Sequence, residues 1–151
     1  MENVHWRGAG LTLAHGGGNV WMDTWGNGWL NSPGIWARAE KIQAAQRMRM
    51  QAPMTGPDVA LLIDERSLAY LADREAFDDL VKQVRESLLR SGLSVGCYLL
   101  SDLAHRENFP ESRLYVFVNA WDVRPEVRSA IKSRLQRDNK VLFWLYAAGL
   151  F

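Results

Sequence analysis

Val59-Ala60-Leu61-Leu62-Ile63, set between Pro57-Asp58 and Asp64, is five apolar residues without a polar interruption. A strand with one wet face alternates apolar and polar. A short unbroken run bounded by turn residues is the mark of a strand covered on both faces, as in a parallel sheet. Three further runs downstream have the same character: residues 95–100, Leu114-Tyr115-Val116-Phe117-Val118, and Val141-Leu142-Phe143-Trp144-Leu145-Tyr146. Between the first two, Phe77, Leu80, Val81, Val84 and Leu88 fall on one helical stripe, with Asp73 placed to cap its start and Gly92 to follow its end. Between the last two, Pro125 suits the first turn of a helix whose buried side is Val127, Ala130, Ile131 and Leu135. Residues 101–112 are read as a degenerate crossover, because a parallel connection needs about a dozen residues. The order β-α-β-β-α-β with apolar strands predicts an α/β fold: a small, open, flavodoxin-like parallel sheet that stops just after its fourth strand.

Upstream of this pattern the composition changes. Through Pro57 the chain holds five of its seven Trp and three of its seventeen acids. Residues 51–57, with two Pro and a Gly and no apolar rhythm, read as a linker. Residues 11–14 and 19–22 fit either a short strand or a helix end, broken by three glycines. Ser32-Pro33 starts a helix that runs through Trp36, Ala39 and Ile42 to about Met50. So much Trp and Gly with so few aliphatics cannot build a core alone.

The whole chain is 151 residues with a net charge of +1. It is too short for a complete (β/α)₈ barrel of about 250 residues. Near-neutrality argues against a nucleic-acid or anionic-membrane footprint. One cysteine excludes an internal disulfide and a cysteine-based zinc site. No apolar run reaches the roughly 18 residues of a membrane span, and no signal-peptide core is visible, so the expected compartment is the cytoplasm.

Few residues carry chemistry. His15-Gly16-Gly17-Gly18 and Gly92-Leu93-Ser94-Val95-Gly96 match the oxyanion loop and nucleophile motif of serine esterases. The nucleophile, however, belongs on a strand-to-helix turn, whereas Ser94 follows a helix and precedes a strand. The expected role of Gly92 is a helix cap. Cys97 lies inside an apolar strand and is expected to be buried and inert. His5, His15 and His105 lack ligand spacing, and no metal or cofactor is expected. Asp64 and Asn119 each close a predicted strand at its carboxyl end, where open parallel sheets bind ligands. With no glycine-rich phosphate loop after either strand, capping is their expected work. In the run Val20-Trp21-Met22-Asp23-Thr24-Trp25-Gly26-Asn27-Gly28-Trp29-Leu30, two readings stand. Trp21, Trp25 and Trp29 with Asp23 could line a sugar cleft, indole under ring C–H groups and carboxylate accepting hydroxyls. The same residues could form an apolar interface with Asp23 as a local cap.

That run, with Leu13-Ala14-His15-Gly16 before it, resembles the last barrel strand and following loop of family 42-type glycoside hydrolases, the β-galactosidases. The stretch from Pro57 to Ser67, Leu114-Tyr115-Val116-Phe117-Val118-Asn119-Ala120 and Val141-Leu142-Phe143-Trp144-Leu145-Tyr146-Ala147-Ala148-Gly149 resemble the trimerisation domain that follows that barrel, whose fold is similar to class I glutamine amidotransferases. The resemblance implies residues 1–50 as the remnant of a barrel strand and helix, 51–57 as a linker and 58–151 as a trimerisation-like domain. It implies a homo-oligomer, a trimer, with a galactoside or other sugar as a further partner. Retaining glycosidases need two carboxyl groups about 5–5.5 Å apart. In the family both are glutamates on earlier strands, and this chain has neither. The amidotransferase thiol is missing as well, since Phe143-Trp144-Leu145-Tyr146-Ala147 stands where its elbow would be. The expectation is a portion of a glycoside hydrolase that serves assembly and is not catalytically competent alone. A non-catalytic carbohydrate-binding module is the alternative, and an esterase using Ser94 a more distant one.

Overall fold

The computed structural model describes residues 2–15, 17–52 and 56–150. The chain divides into two compact units, 1–55 and 56–151, so the boundary falls inside the segment read as a linker; its residues 53–55 lie outside the described residues.

The first unit contains helices α1 (Glu2–Ala14) and α2 (Pro33–Gln51). The ambiguity over residues 11–14 resolves to helix: the Thr12 hydroxyl lies 3.1 and 3.0 Å from the Gly8 and Ala9 carbonyls, the back-bonding a helical threonine makes. Residues 19–22 have no regular structure, and no strand occurs among the described residues of this unit. Leu13-Ala14, which the resemblance assigns to a barrel strand, closes α1, and Gly16 lies outside the described residues. α2 begins as expected with Pro33 at its first position. Ser32 has the extended backbone of a cap (φ −141°), yet its side chain accepts no capping bond. Among the described residues of this unit only Ala9 and Ile42 are buried hydrophobics, while Trp6, Trp25, Trp29 and Trp36 are exposed.

The second unit is the predicted sheet. Strands β1 (Val59–Ile63), β2 (Val95–Leu99), β3 (Leu114–Phe117) and β4 (Val141–Trp144) run parallel in the order β2-β1-β3-β4. Val59 is in register with Val95 on one side and Leu114 on the other, and Leu114 with Val141. Side chains of a strand alternate between faces. Ala60, Leu62, Tyr115 and Phe117 therefore enter one core, with Leu100, Leu103, Val127, Ile131 and Leu135. Val59, Leu61, Val116 and Val118 enter the other, with Val81. Two cores on one sheet are why the Val59–Ile63 run carries no polar residue.

A helical segment runs from β1 toward β2: α3 (Arg74–Phe77), a π-helical stretch (Asp78–Gln83) and α4 (Val84–Leu89). Asp73 caps it, accepting from the Glu75 N–H at 2.9 Å, and Gly92 follows its end with φ +82°. Leu80, Val81, Val84 and Leu88 pack on the sheet as expected. Phe77 does not, at 37 % exposed. The π-helical stretch begins directly after it and shifts the phase of the stripe, leaving Phe77 out of line with Val81. The crossover after β2 holds only α5 (Asp102–His105). α6 (Pro125–Ala130) continues as a second π-helical stretch (Ile131–Leu135), and Val127, Ala130, Ile131 and Leu135 are all buried. No helix among the described residues is long and apolar enough to cross a membrane.

Candidate functional site

β1 and β3 are neighbours, yet the chain leaves β1 for β2 on one side and leaves β3 for β4 on the other. In an open parallel sheet this reversal opens a crevice beyond the carboxyl ends of the two strands. Asp64 and Asn119 stand there, both buried. The Asn119 side chain bridges the two strand ends: its Oδ1 accepts from the Asp64 N–H and its Nδ2 donates to the Asp64 carbonyl, each at 2.8 Å. The Asp64 carboxylate is engaged at both oxygens. Oδ1 accepts from the Arg66 N–H at 3.1 Å, and Oδ2 accepts from the Ser67 hydroxyl. The Ser67 oxygen in turn accepts the N–H groups of Trp121 and Asp122 at 3.3 and 3.2 Å. The network pins the turn after β1 to the turn after β3, and the capping role expected of Asp64 and Asn119 is what the geometry gives them.

Around this network lies a cleft of about 240 Å³ whose lining includes Glu65, Arg66, Ser101, His105, Asp122 and Arg124. Asp122 is tied to Arg124 at 3.6 Å. Such a cleft offers both charge signs and a hydroxyl for binding a small polar ligand. Sequence reading singled out Asp64 and the Asp64-Glu65-Arg66-Ser67 turn but missed the convergence of His105, Asp122 and Arg124. His105 ends α5 after β2, whereas Asp122 and Arg124 share the loop between β3 and α6, and no spacing in the chain signals that the two segments meet.

Asp23 closes its own loop: Oδ1 accepts from the Asn27 N–H at 3.1 Å and Oδ2 from the Gly28 N–H at 2.7 Å, with Gly26 and Gly28 at φ +63° and +72°. Trp21 is partly buried and meets His5 edge to face at 5.1 Å, while Trp25 is 82 % exposed and Trp29 is exposed as well. Ser94 is exposed at the amino end of β2, its carbonyl accepting from the Val59 N–H at 3.0 Å. His105 and Asp102 follow the carboxyl end of that five-residue strand, about 16 Å of extended chain away. An esterase triad is therefore not assembled. Among the described residues no three His, Cys, Asp or Glu side chains group as metal ligands.

Cys97 corrects an expectation. It is exposed, because β2 is an edge strand and is less completely covered than β1. Partial burial against the strand's apolar surroundings nevertheless pushes its thiol up, and Arg85 pulls weakly the other way. Only the thiolate is nucleophilic. Alkylation of Cys97 by iodoacetamide is expected to be slower at pH 8 than that of an unstructured cysteine peptide, rising with pH. Arg85→Ala should slow it further; a faster reaction in that variant would contradict this account.

No protein-family model matches the chain. No curated protein matches it, and no solved structure does.

Proposed function

We propose that the chain is a non-catalytic assembly piece related to the C-terminal part of a family 42-type glycoside hydrolase, acting in the cytoplasm and associating with copies of itself through β4. The observation that carries this reading is the outward side of β4. It is an edge strand, and Val141 and Phe143 on its second face are 57 % and 51 % exposed. An unpaired strand edge beside exposed apolar side chains is a surface that pairs with another chain. The engagement of Asp23 and Asp64 in structural bonds supports the non-catalytic half of the reading.

Light scattering should give an oligomer, a trimer by the resemblance. Phe143→Glu should give a monomer with an unchanged circular dichroism spectrum, since an exposed side chain adds little to folding. A monomeric wild-type protein at micromolar concentration would overturn the proposal, and so would turnover of a chromogenic galactoside abolished by Asp23→Asn.

A second reading, a carbohydrate-binding module, is favoured by the exposed indoles of Trp25 and Trp29. Asp23 weighs against it, because the carboxylate that would accept sugar hydroxyls already accepts two backbone donors. Titration with galactose or lactose, followed by tryptophan fluorescence, separates the two: the assembly reading expects no shift at millimolar sugar.

A further inference from the structure

A second cleft, about 320 Å³, lies between α6 with its π-helical continuation and the chain that leaves β4. Val123 and Ile131, both buried, and the partly buried Trp144 give it an apolar lining. The Trp144 ring stacks on Phe117 with centroids 3.9 Å apart and planes 8° from parallel, so the indole is held in one orientation. The far wall is fixed too: the Gly149 N–H donates to the Ala120 carbonyl at 2.9 Å, and Gly149 adopts φ +63°.

The charges lining this cleft are of one sign. Among the described residues that line it, Arg128 and Lys132 are present and no acidic side chain is. Arg128 lies on α6 and Lys132 on its π-helical continuation, and both reach the lining. The Arg128 Nε donates to the Val123 carbonyl at 2.8 Å, which orients the guanidinium and leaves its terminal nitrogens for another acceptor. One of them, Nη2, lies 3.5 Å from where a Cβ on Gly149 would be, so a glycine at that position keeps the wall low beside it. Among the described residues Lys132 has no ion-pair partner. An apolar pocket with a few convergent polar groups is the usual form of a small-molecule site, and an oriented guanidinium beside an ammonium selects a carboxylate.

We propose that this cleft binds a small aromatic carboxylate, the carboxylate taken by Arg128 and Lys132 and the ring laid against Trp144 and Ile131. The anion satisfies both cations, and the ring replaces water on apolar surface that the fold leaves open.

Isothermal titration of the full chain with benzoate, benzyl alcohol and acetate tests this. Benzoate should bind at one site in the micromolar to millimolar range. Benzyl alcohol, which lacks the charge, and acetate, which lacks the ring, should each bind at least about tenfold more weakly. Lys132→Gln should weaken benzoate by about tenfold with the circular dichroism spectrum unchanged. Arg128→Gln should weaken it further; because that variant also loses the bond to Val123, Lys132→Gln decides should it fail to fold. Absence of benzoate binding, equal affinity for benzyl alcohol or acetate, or an unaffected Lys132→Gln variant would each overturn the proposal.

Discussion

Truncating Phe117 to alanine is expected to lower the unfolding free energy of the second unit by about 3–5 kcal/mol. Phe117 is fully buried on an inner strand, in the core shared by the sheet, α5 and α6. Its ring is also the surface on which Trp144 stacks. Alanine removes the transfer energy of the ring, leaves a cavity that strands paired on both sides cannot easily close, and ends an aromatic pair. In a unit of this size each kcal/mol shifts the midpoint by about 4–8 °C, so the melting temperature should fall by roughly 20 °C. Phe117→Leu keeps most of the volume and should cost much less, about 1 kcal/mol. Urea denaturation with a shared m-value measures both. A Phe117→Ala loss below about 1.5 kcal/mol would mean that the stack and the core around it are looser than the geometry indicates. Since Trp144 would lose its backing ring, the same substitution should also weaken benzoate in the cleft beside it.

The sheet was legible because its evidence is local. Four apolar runs lack the apolar–polar alternation of a strand wetted on one face, and Pro57, Gly92 and Pro125 punctuate them where helices and strands meet. Strand order was legible only as a class, since nothing within Val59–Ile63 or Leu114–Phe117 states that these two strands are partners. Phe77 misled because a π-helical stretch changes the period on which every stripe argument rests. Cys97 misled for a different reason: an apolar strand at an edge is covered less than the same sequence in the middle, and edge position is a property of the whole sheet. For Asp23 both readings were written in the chain, and two backbone N–H groups within five residues favour the local one. The clefts were the least legible. His105 meets Asp122 and Arg124 only once the segment after β2 folds beside the loop after β3. Arg128 and Lys132 are visible as two basic residues four apart, but neither the π-helical stretch that begins between them nor the apolar lining they share is.

Replacing Asn119 by alanine is expected to destabilise the second unit by about 2–4 kcal/mol, though the change deletes only a few atoms. The reason is the partner. Asn119 satisfies both the N–H and the carbonyl of Asp64, a backbone position fifty-five residues earlier that is itself buried. With alanine both groups keep their burial; the N–H loses its bond, and the carbonyl keeps only the longer one it accepts from the Leu68 N–H at 3.4 Å. An unmet buried polar group costs about 1–3 kcal/mol, more than a made hydrogen bond contributes. The loss should also propagate. Asp64 holds Ser67, and Ser67 holds the N–H groups of Trp121 and Asp122, so one side chain fixes both turns that frame the cleft at the sheet's carboxyl edge. Asn119→Ala and Ser67→Ala should therefore be non-additive: once the first has freed the turn after β1, the second has less left to release. A double-mutant cycle by urea denaturation measures this. Additivity within about 0.3 kcal/mol would show that the two bonds act separately and that the carboxyl edge is not the single braced frame described. Amide hydrogen exchange gives an independent check, because freeing the turn should speed exchange at Arg66, Trp121 and Asp122 together.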